Sequence, residues 1–419
     1  MKKRYIFLIP SICNIGGAQL YLAEKIKYLR ENGWNIDVIY ARKDRILIKD
    51  LEIFSPNCFP FIDYSIMYYT QTYAEKGINK IIKLLDIKHR EKIIIESCTV
   101  SISTWGERIA EKICCKHICF AFEELFEMSK SQLKFAYFKH LRKELAGIRP
   151  ESVPLMFKNS NYNIENPQHY IAHALSPIGK ISDNKVDSLK TYDIVIGSFG
   201  RLDKGFVWEA LLEIQKYIKS HSGHKYALLL IGDTKDSRFK GKIYKLFNNL
   251  AEVIITGEVC PVSLELVKKV NVFVSSAGAA TATASHGIPT IAVSPETFLP
   301  NGILDYTTEY NILSPKPSDK TISQLIEEII DNKICEKLPK LGLYENYFEN
   351  RHNRNWKEFD RQMNIAEDST YPQEYYDVYK ISLDGKRKIA GIYCKIFGFK
   401  VFSKTISLIK KYYGTIIKG

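Results

Sequence analysis

The sequence predicts an α/β protein made of two doubly wound parallel-sheet domains, closed by a basic amphipathic helical tail. Three observations predict it. Between Asp193 and Leu313 five short apolar runs, Asp193–Phe199, Tyr226–Gly232, Val253–Thr256, Val270–Ser275 and Pro289–Val293, are bounded by Gly, Asp, Ser or Pro and separated by helix-length segments. That is the pattern of parallel strands covered on both faces. The chain also opens as a β-α-β unit, with Tyr5 to Ile9 a strand, Ala18 to Glu31 a helix and Asn35 to Tyr40 a strand. Finally, Tyr376 to Gly419 holds ten Lys or Arg against Asp377 and Asp384, so +8 of the formal net charge of +13 sits in this tail.

A chain of 419 residues with 45% apolar content fills two or three cores. Of nine cysteines only Cys114, Cys115 and Cys119 cluster, with no second pair at zinc-ligand spacing, which predicts buried reduced thiols and a reducing, cytoplasmic setting. The run in MKKRYIFLIP is too short for a signal peptide and reads as a first strand. No window reaches the roughly twenty apolar residues that span a bilayer. The positive charge does not come with a groove-reading or single-strand module, so nucleic acid is not an expected partner.

In chain order, Ile46 to Thr72 is aromatic-rich and reads as edge strands and loops. A helix over Ile78 to Asp86, a strand over Ile93 to Glu96, a helix over Thr104 to Cys114 and a strand over His117 to Phe122 follow. His117 opens its strand and reads as structural. Gln132 to Ala146 predicts a long helix with its cations on a solvated face, ended by Gly147. The Pro, Asn and Ser content of Pro150 to Lys190 marks the connection between domains. Helices over Thr321 to Asp331 and Asn346 to Met363 come after the second sheet. In the tail, Ile389, Ile392, Tyr393 and Ile396, then Phe402, Ile406, Ile409, Tyr413 and Ile416, recur at helical spacing among lysines, as in helices that lie on anionic membrane surfaces. The same spacing also suits a helix pair packed on the body.

Two loops of the second sheet look chemical. Gly200-Arg201-Leu202-Asp203-Lys204-Gly205 sets two cations between a buried strand and the next helix. Ser275 to Thr281 has almost no side-chain bulk and leads into a helix, where free N–H groups favour an anion. Ligands of such sheets lie beyond the carboxyl ends of the strands. Each loop alone is equally a tight turn; the pair suggests a diphosphate site. In the first half, Gly16-Gly17 joins strand to helix, which is as often purely structural.

With GRLDKG at 200 to 205, LLLIGD at 228 to 233, ITGEV at 255 to 259, VNVFVSS at 270 to 276, HGIPTIAV at 286 to 293 and GGAQ at 16 to 19, the sequence resembles the nucleotide-sugar-dependent glycosyltransferases of GT-B architecture, specifically the glycosyl transferase group 1 (family 4) superfamily, over about its first 350 residues. The resemblance implies two Rossmann-like domains facing a cleft: 1–180 for the acceptor, 181–335 for the nucleotide sugar, 336–375 a crossover helix returning to the first domain, and 376–419 the basic tail. It implies that Arg201 and Lys204 neutralise the donor diphosphate, with Lys204 set closer to Arg201 than in the usual pattern. Gly16 and Gly17 would border the donor phosphates, and Ser276, Gly278 and Ala279 would form the anion site. The family's Glu-x7-Glu pair is absent, its positions falling on Ala282 and near Ala277, which leaves Ser276, Thr281 and Glu296 as the nearest groups for ribose and sugar. Where relatives carry a His-Glu or His-Asp dipeptide at a strand end, this chain has Phe122 and Glu123, with Glu123 a candidate base or sugar ligand. The alternative for Glu123 is an exposed acid at a helix start. No Asp-x-Asp motif stands before a suitable strand, so no divalent ion and no cofactor are expected beyond the nucleotide diphosphate sugar as co-substrate. The expected acceptor is a saccharide or lipid-linked saccharide of bacterial surface polysaccharide assembly, such as capsule or O-antigen. The missing Glu pair leaves open a catalytically silent partner of an active transferase.

Overall fold

The computed structural model describes residues 2–13, 15–87, 91–121, 128–147, 151–169, 178–234, 236–367 and 374–413. They form two compact units: Met1–His173 with Asn353–Gly419, and Ala174–His352.

The first unit runs β1 (Lys2–Ile9), α1 (Gly17–Glu31), β2 (Trp34–Tyr40), α2 (Gln71–Leu85), β3 (Glu91–Ser97), α3 (Val100–Ile113), β4 (Lys116–Ala121), α4 (Lys130–Leu141), β5 (Leu145–Gly147), α5 (Ser152–Met156) and β6 (Gln168–His169). Its sheet has the order β2-β1-β3-β4-β5-β6, and every pairing is parallel. Successive residues of β1 feed opposite cores. Ile6 and Leu8 pack with Trp105 and Ile109, whereas Tyr5, Phe7 and Ile9 pack with Tyr21 and Leu22. An unbroken apolar run is what a strand buried on both faces requires.

Several elements of this unit differ from what the sequence predicts. Ile46 to Thr72 forms short 3₁₀ turns over Lys49–Phe54, Pro60–Asp63 and Ile66–Tyr68, not edge strands. The helix expected from Ile78 begins at Gln71, capped by the Thr70 hydroxyl, and it accommodates Gly77 because a Cβ there would stand 2.8 Å from the Phe61 ring. The helix expected to reach Ala146 stops at Leu141. Lys143 turns left-handed at φ 57°, and Leu145–Gly147 pairs with β4. Its cations do not all face solvent: Lys139 and Arg142 are buried, since Lys139 Nζ lies 2.7 Å from both Glu107 and Glu144. Of the clustered thiols, Cys115 and Cys119 are buried and Cys114 is exposed.

The second unit runs β7 (Ile178–Gly179), α6 (Lys185–Leu189), β8 (Ile194–Phe199), α7 (Gly205–Ser220), β9 (Tyr226–Ile231), α8 (Ser237–Leu246), β10 (Glu252–Ile255), β11 (Val262–Ser263), α9 (Leu264–Val267), β12 (Val272–Ser275), α10 (Ala277–Ala284), β13 (Thr290–Val293), β14 (Pro300–Ile303), α11 (Ile322–Ile330) and α12 (Ile334–Lys337). The sheet order β10-β9-β8-β12-β13-β14 reverses direction between β8 and β12. All its pairings are parallel except that of β14, an antiparallel edge on β13.

Among the described residues two more helices follow, α13 (Tyr347–Glu367) and α14 (Gly385–Tyr413), the latter kinked at Gly398. In the first unit Phe359 and Met363 join the core of Tyr28 and Leu22. Gln362 accepts from Lys25 Nζ at 2.8 Å and meets Tyr21 at 3.1 Å. The buried Lys25 also holds Glu96 at 2.5 Å. Between these helices, the Tyr376 N–H donates to buried Glu107 at 2.8 Å.

Candidate functional site

In an open parallel sheet, ligands gather where the strand order reverses, at the carboxyl ends. In the second unit that point lies between β8 and β12, and the two ends are tied by the Phe199 N–H donating to the buried Ser275 hydroxyl at 3.1 Å. The loops leaving these strands are the two singled out in the sequence. They are neighbours: a Cβ on Gly200 would lie 3.9 Å from the Ala279 methyl.

The Gly200 to Lys204 loop is fixed from below. Leu202 is buried in the core, its N–H donates to the Asp233 carbonyl at 3.0 Å, and the Gly200 N–H donates to Ile231 at 2.9 Å. Arg201 is left 61% exposed, with Asp203 at 3.7 Å across an ion pair too long and too wet to hold it firmly. Lys204 occupies the N-cap of α7 with extended backbone and is half-buried. An anchored loop thus presents a guanidinium in water.

Facing it is the start of α10. Ala277 sits at φ 56° and donates to the Asn311 carbonyl at 2.7 Å, which fixes the entry of the helix. Helix geometry leaves the Gly278 and Ala279 N–H groups without an intrahelical acceptor. Gly278 is exposed, with nothing within 4 Å of where its Cβ would be. Ser276, the N-cap, is 4% exposed, yet its hydroxyl caps nothing and has no partner. A buried hydroxyl without a partner costs free energy that a bound acceptor would recover. Thr281 is already engaged, accepting from Asn311 Nδ2 at 2.8 Å. Glu296 is exposed in the turn after β13, where its N–H meets the Ser294 hydroxyl at 3.3 Å. That turn reaches the cation loop, since a Cβ on Gly205 would stand 2.7 Å from the Phe298 ring. Phe298 had no signal in the sequence. The whole of α10 reads AGAATATA and contains no carboxylate.

Gly16 and Gly17 belong to the first unit, where they start α1 at the equivalent reversal between β1 and β3. Gly16 is an extended N-cap with no side chain to cap, and Gln19 donates to the Ser11 carbonyl at 2.7 Å to hold the turn. Glu123 lies outside the described residues. The same sheet ends in an apolar cavity of about 300 Å³, counting its open side, lined by Val100, Ala121, Met128, Phe135, Met156 and Lys139. No periodicity announces it. Beside it His117 is buried, 2.7 Å from Glu107 and 2.8 Å from the Ser97 hydroxyl. Burial alone would raise the Glu107 carboxyl, but Lys139 and His117 outweigh it and hold the group down at about 2.

No family model matches the sequence, and no relative is found among curated proteins. Solved structures do match. A glycosyltransferase from Rickettsia africae superposes with TM-score 0.59 at 13% identity, covering 91% of this chain and 100% of that one. A mutant of TarM from S. aureus, in complex with fondaparinux, alpha-GlcNAc-glycerol and UDP, gives 0.53 at 10%, covering 88% and 100%. A putative UDP-N-acetylglucosamine 2-epimerase from Listeria monocytogenes gives 0.51 at 10%, covering 90% and 100%. At such identities the likeness is one of architecture, and its content is that this chain has the two-domain, Rossmann-like GT-B fold common to glycosyltransferases and sugar-nucleotide epimerases.

Proposed function

We propose that the chain is a glycosyltransferase that takes a sugar from a nucleoside-diphosphate donor and moves it to an acceptor hydroxyl. The observation that carries this reading is the unpartnered, buried Ser276 hydroxyl beside the open start of α10, with the exposed Arg201 on the adjoining loop. Hydrogen-bond donors and a fixed positive charge set where a diphosphate departs stabilise charge as it develops, which is where such groups accelerate a reaction. Lys204 adds a second cation from the same loop. Ser276, Gly278 and Ala279 would hold the phosphates. Glu296, on the turn that touches Gly205, is assigned to the ribose, and Glu123 of the first unit is assigned to the acceptor or the sugar. Neither needs a metal in this scheme. The acceptor is placed among saccharides or lipid-linked saccharides of surface polysaccharide assembly, and the site of work at the inner face of a membrane.

One feature favours a second reading. With no carboxylate on α10, a catalytically silent partner of an active transferase would retain the fold and lose the donor. Calorimetry with UDP, GDP and their sugars separates the two. The transferase reading expects micromolar binding that Arg201→Ala weakens at least tenfold, together with diphosphate release from one donor of the panel. Absence of binding across the panel would leave the silent reading.

A further inference from the structure

The two apolar stripes of the tail do not behave alike, and the difference exposes a surface. Phe402 and Cys394 are buried, and Tyr393, Phe399 and Ile406 pack on the same core. Rings seat the helix there: Tyr64 lies 4.9 Å from Phe402 and Tyr69 lies 5.9 Å from Phe399. Thus Phe402, Ile406 and Tyr393 take the second of the two placements their spacing allows, packing on the body. The opposite face is open. Ile389 is 71% exposed, Ile392 50% and Ile396 68%, at one helical face, while Phe397 at 55%, Val401 at 45% and Leu408 at 55% continue the exposure across Gly398.

Lys386, Lys388, Lys395, Lys400 and Lys404 are exposed among these residues, and Gly385 to Tyr413 contains no Asp or Glu. We infer that this face of α14 docks the protein on an anionic bilayer surface, its isoleucines and Phe397 entering the boundary between headgroups and acyl chains and its lysines meeting lipid phosphates. Large apolar side chains beside cations, on a helix already anchored from behind, match that occupant in both polarity and charge. A second copy of the chain fits poorly, since apposing two such faces would set lysine against lysine with no acid on the helix to answer them. The inference rests on α14 alone, and the nucleotide site could fail while it stands.

Flotation of the full-length chain with vesicles of phosphatidylcholine alone, and of phosphatidylcholine with 30% phosphatidylglycerol (about a third anionic lipid), tests it. The expected result is flotation with the anionic vesicles, reduced in high salt and weak with the neutral ones. A double variant Ile392→Asp with Ile396→Asp should melt like the parent, because both side chains are exposed, and lose vesicle binding at least tenfold. Exchange of Lys388 and Lys395 for Glu should do the same, whereas Arg201→Ala should float unchanged. Flotation of neither vesicle, or equal flotation of the Ile392→Asp, Ile396→Asp variant, overturns the inference. So does a concentration-dependent dimer in sedimentation that the same variant abolishes while flotation is absent, which would assign the face to a second copy.

Discussion

A Cβ on Gly232 would stand 1.9 Å from the carbonyl oxygen of Gly200, so the turn after β9 is pressed against the turn that carries Arg201. The obstacle is backbone, and Gly232 sits at φ 146°, so a methyl group cannot be absorbed by a rotamer change. Gly232→Ala should lower stability by at least about 2 kcal/mol and displace the cation loop. A lowered thermal midpoint together with weakened nucleotide binding would support this, and an unchanged affinity would detach Gly232 from the site.

Ser276 gives a prediction of the opposite sign for stability. Its buried hydroxyl has no partner to lose, so Ser276→Ala should leave the thermal midpoint of the free protein unchanged or slightly higher. If the hydroxyl serves a phosphate, the same change should weaken nucleoside diphosphate binding by roughly tenfold. Calorimetry and melting on one pair of samples measure both.

The cluster of Glu107, His117, Lys139 and Glu144 sets a pH dependence. The Glu107 carboxyl is held at about 2, below its ordinary value of 4.5, so the stability it contributes is complete above that ordinary value and is lost as pH falls toward 2. Melting between pH 6 and pH 2.5 should show a decline that is shallower in Glu107→Gln. That variant should itself be less stable by about 3 to 5 kcal/mol at neutral pH, since it strips a buried ammonium of one carboxylate and disturbs the Tyr376 contact.

Gln362 offers a test of how firmly α13 is held to the first unit. Gln362→Leu removes one acceptor from the buried Lys25 ammonium while keeping its volume, and should cost about 1 to 3 kcal/mol. Faster proteolysis within α13, with nucleotide binding intact, is the expected signature.

How much of this was legible beforehand depended on whether a residue's partners lie near it in the chain. The main strands of both sheets declare themselves, because short apolar runs bounded by Gly, Asp, Ser or Pro have few other uses. β5, at three residues, is too short to show a period and falls within a helix pattern that Lys143 ends, while β14 reads Pro-Asn-Gly-Ile, the composition of a turn. Lys139 looked solvated because its acids come from α3 and from the turn before β5. In the tail, spacing reveals two successive apolar runs but not which of their residues the body covers. Tyr64 and Tyr69, some three hundred residues earlier, decide that Phe402 and Phe399 turn inward. The two loops of the second unit were readable from composition, whereas the empty bond of Ser276 and the approach of Phe298 to Gly205 were not.

Glu107 waits for Tyr376, and Lys25 for Gln362, so the first unit is finished by residues that are synthesised only after the whole of the second unit. Synthesis of the intervening Ala174–His352 occupies roughly ten to forty seconds at ordinary translation rates. Through that interval the groove that receives Phe359 and the aromatic bed of Phe402 stand open to water. The nascent first unit therefore carries transiently exposed apolar surface and two buried charges short of a partner, the condition that invites aggregation or a holdase chaperone.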